Sequence, residues 1–242
     1  MSCRIGVCTT TSAYLLTDAA AMAPRQSDGV LVSIEAKQAC VIPRGPQGQQ
    51  GVVAIMGWNP PVRRFIAQAR ECCTDFDTLV DMTPRLWRQI RSEMPPPPGW
   101  SYSGLLSGWS ERRQQVEMYE LDSRWPPTGA EIVVHVTGAS VNDDDASQAF
   151  LANFGENPDA FDPHTDGIAF FEEMRRHTRQ FQIGPPRHYV GGYIQATRLT
   201  GHGAESAIIH RWADRVGELI HIDVRETPEQ LMPAAPASRG ES

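Results

Sequence analysis

Between Pro60 and Arg91 the sequence changes period. VRRFIAQARECC brings Val62, Phe65, Ile66 and Ala69 onto one face, and DFDTLVDMTPRLWRQI brings Leu79, Met82, Leu86 and Ile90 round at steps of three and four. That spacing gives each segment one apolar stripe, as an amphipathic helix needs. On both sides of this block the chain returns to short apolar runs bounded by Gly, Pro and polar residues, which is strand patterning. A fold for this chain must therefore set a pair of helices against strands that precede them and strands that follow.

The preceding strands are expected at 3–10, 12–18, 28–34, 37–42 and 51–57, the last two forming a hairpin around RGPQGQQ. PPPPG at 95–99 closes the helical block, since proline supplies no amide for a continuing helix. SGLLSGW (103–109), QQVEMYEL (114–121) and EIVVHVTG (131–138) then read as a second group of strands. One helix is expected at 145–154 and another at 166–181, where Ile168, Phe171, Met174 and Thr178 would face inward. HYVGGYIQATRLT, SAIIHRW and GELIHIDV return to strand character. Strands, two helices, strands, helices and strands, in that order, suit an α+β fold of two packed antiparallel sheets with a helical layer on each outer side.

A chain of 242 residues with 40% hydrophobic content can bury one large core. The expected division is a single domain over 1–225 and a disordered tail over 226–242, because ETPEQLMPAAPASRGES carries little that could pack. A net charge of -7 with no Lys/Arg block argues against a nucleic-acid surface. No apolar run reaches the length of a membrane helix and no secretory leader is evident, so a cytoplasmic protein with neither membrane nor nucleic acid as partner is expected. Cys3, Cys8, Cys40, Cys72 and Cys73 make an odd set without a CxxC pair, which reads as free thiols, the Cys72 and Cys73 side chains pointing apart on a helix. The scattered histidines, His202 and His210 among them, lack zinc-ligand spacing, and Asp143, Asp144 and Asp145 lack the rest of a calcium loop. No metal and no cofactor is expected, there being no phosphate-cradling glycine loop after a strand. Trp58, Trp109 and Trp212, at strand ends, read as packing residues.

The first hairpin ends in TDAAA, a lysine follows in EAKQACVIP, and VVAIMGW runs into the helix pair; LLSGW with VEMYELD and then VGGYIQATRLT complete the series. In these segments the chain resembles the proteasome-like branch of the N-terminal nucleophile hydrolases, over most of residues 2–224. The resemblance implies a four-layer αββα sandwich and association into rings or stacked dimers, hence a homo-oligomer, with a protein or peptide partner. It also implies a site: a chain-terminal hydroxyl or thiol attacks an amide while its own α-amine, with a reference pKa of roughly 7.7–8.0, acts as base. The family spacing carries the nucleophile to Ser2, the steadying acid to Asp18 and the cation to Lys37; Thr9, Thr10 and Thr11 lie too close to Asp18 to replace Ser2.

Two functions follow from the resemblance. One is a non-catalytic assembly or scaffold member of the fold, toward which the displaced lysine and the lack of a segment to be processed before Ser2 both weigh. The alternative is a Ser-type amidohydrolase or peptidase using Ser2 after removal of Met1. Read without the resemblance, Asp18 is a turn residue, Lys37 a solvated or half-buried lysine, and Gly57, Gly191 and Gly192 places of close backbone approach.

Overall fold

Strand β1 (Arg4–Cys8) turns back through Thr9–Ser12 into β2 (Ala13–Asp18), the turn being closed by Thr9 N and Thr9 Oγ1 donating to Ser12 O at 2.8 and 2.9 Å. The computed structural model describes residues 3–22, 30–41, 51–57, 59–95, 102–122, 133–136, 138–141, 146–180 and 184–222. A short pair, β3 (Ala20–Met22) and β4 (Leu31–Ile34), follows, and then β5 (Gln38–Cys40) and β6 (Val52–Gly57). Helices α1 (Asn59–Cys72) and α2 (Phe76–Glu93) occupy the block where the period changes. The second group of strands is β7 (Tyr102–Ser110), β8 (Gln115–Asp122), β9 (Val133–His135) and β10 (Gly138–Val141). After them come α3 (Ala146–Phe154), α4 (Ile168–Arg176), the two-residue strands β11 (Thr178–Arg179) and β12 (Arg187–His188), and the long hairpin β13 (Tyr193–Thr200) and β14 (Gly203–Arg211).

Two five-stranded sheets result, β10-β1-β2-β13-β14 and β5-β6-β7-β8-β9, with every neighbouring pair antiparallel. Side chains alternate across each strand, so each sheet feeds two cores. Ala13, Leu15 and Leu199 of the first sheet meet Leu105, Val116 and Met118 of the second. Ile5, Val7, Leu16 and Ile194, on the first sheet's other face, pack with Phe150 of α3 and Phe170, Phe171 and Met174 of α4. Leu106 and Leu121, on the second sheet's other face, pack with Phe65 and Ala69 of α1 and Leu79, Leu86, Trp87 and Ile90 of α2. Gly6 sets how closely the sheets approach: a Cβ there would lie 2.5 Å from both Leu105 Cδ1 and Met118 Sδ.

The helix expected at 166–181 is shorter. It ends at Arg176 because His177 turns extended (φ -73°, ψ 145°), and Thr178 then pairs with His188 in a strand, exposed rather than inward. The described part of GELIHIDV, residues 217–222, contributes no strand to either sheet: Leu219 forms a single bridge with Val30, supported by hydrogen bonds between Leu31 and the Gly217–Glu218 backbone. The Cys72 and Cys73 thiols do not point apart; their sulfurs lie 3.7 Å from each other where α1 ends. Among the described residues no helix is long and apolar enough to cross a membrane. The tail expected at 226–242, the loop RGPQGQQ, Asp143 to Asp145 and Trp58 lie outside the described residues.

Candidate active site at the start of the first strand

The register of the first hairpin decides what faces what. Arg4 lies opposite Thr17, so Cys3 falls opposite Asp18, and Asp18 N donates to Cys3 O at 3.2 Å. The Asp18 side chain folds back over this step and is fully buried. Its Oδ1 accepts from Cys3 N at 2.9 Å, and its Oδ2 from Ala20 N at 3.2 Å and, at longer range, Gly191 N at 3.4 Å. Burial of a carboxylate requires such partners, and the backbone amides supply them.

Lys37 supplies the cation. Its Nζ lies 2.7 Å from Asp18 Oδ1 and donates to Ala20 O at 2.6 Å, so among the described residues two of its three N–H donors are engaged. The next residue fixes its backbone: Gln38 Nε2 donates to Leu15 O, Thr17 Oγ1 and Gln195 O at 2.8–3.1 Å, tying the start of β5 to β2 and β13. Burial pushes the Lys37 ammonium down from the ordinary 10.5, against the charge and hydrogen bond of Asp18 and the weaker influence of the Cys3 thiol and Glu35.

Lys37 is also the only lysine in the chain, beside 21 arginines. Arginine serves wherever this protein needs a permanent surface cation, yet a guanidinium is a broad planar fork that stays charged. The one position given to a compact ammonium, able to yield a proton when desolvated, is the one paired with Asp18.

Of the three residues singled out from the sequence, the structure therefore joins Asp18 and Lys37. Ser2 lies outside the described residues, but its peptide bond to Cys3 carries the amide that Asp18 holds. Thr9 to Thr11 lie at the opposite end of the hairpin, and Thr10 is hydrogen-bonded to Asp159. Trp109 packs beside Gly201, and Trp212 lies beneath the Arg175 guanidinium while its indole Nε1 donates to Glu172 Oε1 at 2.8 Å. His210 pairs with Glu172 at 3.1 Å.

Solved structures share this arrangement of sheets and helices. Anbu (ancestral beta-subunit) from Yersinia bercovieri superposes with a TM-score of 0.60 at 11% identity, over 87% of this chain and 87% of that one. An Anbu (Gly-1) mutant from Hyphomicrobium sp. strain MC1 does so with a TM-score of 0.62, also at 11% identity, over 87% and 88%. At that identity the likeness is one of fold, and it agrees with the proteasome-like resemblance read from the sequence. No family model and no curated protein matches the chain.

The sequence left part of the surroundings unread. Gly191 was visible only as a place of close approach, yet its amide faces Asp18 and its carbonyl accepts from Ala19 N and Ala20 N at 3.2 and 3.0 Å. Behind it lies a buried pair: Arg175 donates to Asp214 Oδ1 at 2.6 Å and to Asp214 Oδ2 at 2.8 Å. Residues 39 apart leave no local pattern by which a sequence could announce that pairing.

Proposed function

We propose that the chain is a proteasome-like N-terminal nucleophile amidohydrolase or peptidase, with Ser2 as nucleophile once Met1 is removed, on a four-layer αββα frame. The order of cores, from the α1/α2 helices through two sheets to the α3/α4 helices, supports the frame. One observation carries the chemistry: a single buried carboxylate, Asp18, holds both the first amide after Ser2 and the ammonium of the only lysine. A buried ion pair stabilises a fold little better than well-packed apolar groups would, so stability alone is a poor reason for this one.

The steps follow from those groups. Ser2 Oγ attacks the carbonyl carbon of an amide while the free α-amine of Ser2 takes the hydroxyl proton. Lys37, held by Asp18, places positive charge where the oxygen nucleophile develops negative charge. The C–N bond breaks, the departing nitrogen receives the proton from the α-amine, and an ester on Ser2 remains. Water then attacks that ester with the α-amine again as base, releasing the acid and restoring Ser2.

The same buried pair would also fit a non-catalytic scaffold member of the fold, and one experiment separates the two. Intact-mass analysis is expected to show a chain beginning at Ser2 that gains one adduct from a hydroxyl-directed electrophile, while Ser2→Ala folds but gains none. Retained Met1, or equal labelling of parent and variant, would leave the scaffold reading standing.

A further inference from the structure

The turn that presents Gly191 to Asp18 is gripped from its far side. Arg175 Nη1 donates to Val190 O at 2.8 Å, and Gly192 N donates to Asp214 Oδ2 at 2.8 Å. Arg175 Nη2 reaches on to His221 O at 3.0 Å, and its guanidinium lies 4.9 Å over the Trp212 ring, whose backbone N donates to Gly192 O at 3.0 Å. The Arg175 and Asp214 side chains are 7% and 4% exposed, so nothing from solvent competes for these bonds. No slack is left in the turn. A Cβ on Gly191 would stand 2.5 Å from Asp214 Oδ2 and 3.0 Å from Arg175 Nη1, and Gly192 sits at φ +78° with Ile34 Cγ2 2.9 Å from where its Cβ would be.

Resting on the hydrolase reading above, we infer that Arg175 and Asp214 are positioning residues for the candidate site: they fix the Val190–Gly192 turn, the turn holds the Asp18 carboxylate through the Gly191 amide and the backbone beside it through the Gly191 carbonyl, which accepts from Ala19 N and Ala20 N, and Asp18 in turn fixes Lys37. Neither residue touches a reacting atom. A bidentate Arg–carboxylate pair fixes both partners in one plane with two parallel hydrogen bonds, which suits the anchoring of a turn. The ion pair needs both members at full charge, while the Gly192 amide needs only an oxygen acceptor, and the two demands can be separated by substitution.

Because the chain has one lysine, selective lysine labelling gives a single side-chain NMR signal, and its titration reports Lys37 without any substrate. Asp214→Asn keeps an oxygen for Gly192 N but loses the charge opposite Arg175; the double variant Arg175→Met/Asp214→Leu replaces the pair by apolar groups of similar size. In a variant that retains a cooperative thermal transition, the Lys37 midpoint is expected to fall further below 10.5, because a displaced Asp18 no longer offsets the effect of burial. The Ser2 electrophile-labelling rate should fall at least tenfold. An unmoved Lys37 titration in a folded variant overturns the inference, as does failure of both variants to fold, which would make the pair structural only. If the parent's Ser2 is never labelled, the hydrolase reading fails by itself, and the Lys37 titration still decides whether the pair positions Asp18.

Discussion

A buried ammonium has a signature in solution that depends on the sign of its shift. Burial lowers the Lys37 value in the folded chain from 10.5, and on unfolding the side chain regains its ordinary value. Between the lowered value and 10.5 the unfolded chain therefore holds one more proton than the folded one, and the Lys37 contribution to unfolding free energy increases as pH rises through that window. The expected result is a difference in urea midpoint between parent and Lys37→Met that shifts in the parent's favour as pH climbs toward 10.5; parallel profiles would show a lysine that burial does not perturb. At Gly192 the argument is steric. Its φ of +78° and the 2.9 Å approach of Ile34 Cγ2 leave no place for a side chain, and Gly192→Ala should lower stability by about 1–2 kcal/mol, read from a chemical denaturation curve.

Helix α2 shows how an element can be written locally. Asp75 caps it, with Oδ1 accepting from Thr78 N at 2.7 Å and Oδ2 from the hydroxyls of Thr74 and Thr78, and these bonds, that of the Thr78 amide foremost, hold the carboxyl below the usual carboxylate range. Asp75→Ala should cost about 1 kcal/mol, measurable as a lower denaturation midpoint with an unchanged slope. Pro84 sits inside the same helix without ending it, because Phe76, Leu79, Leu86, Trp87 and Ile90 bury the stripe that the sequence displays. The elements that could be read ahead of the structure, β1, β2, α1, α2, β7 and β8, carry their apolar period within their own residues. Those that could not depend on distant partners: after Met174 the α4 segment offers RRHTRQ with no apolar residue to keep it helical, and GELIHIDV alternates like a strand while its described residues meet another strand only at the Val30 bridge. The site divides in the same way. TDAAA and EAKQACVIP announce Asp18 and Lys37 through family resemblance, whereas the Arg175–Asp214 pair comes from α4 and the segment after β14 and is brought together only by the closed fold.

At the scale of the whole molecule, residues of the two antiparallel sheets meet in a core that Gly6 keeps tight, while residues of α3 and α4 pack with the first sheet and residues of α1 and α2 with the second. On the proposed four-layer reading the helices lie outward and are the surface through which copies of the chain associate. Self-association has a physical condition as well: a net charge of -7 on a 26.8 kDa chain opposes it through long-range repulsion, which salt screens within about 8–10 Å near physiological strength. Contacts between helical layers are short-range and outlast that screening. Light scattering at micromolar concentration is therefore expected to give a mass of at least two chains, rising or holding as salt is raised from low to physiological ionic strength. A mass of 26.8 kDa at every concentration and salt level would refute association through the helical layers, and a mass that falls as salt rises would trace it to attraction between oppositely charged patches instead.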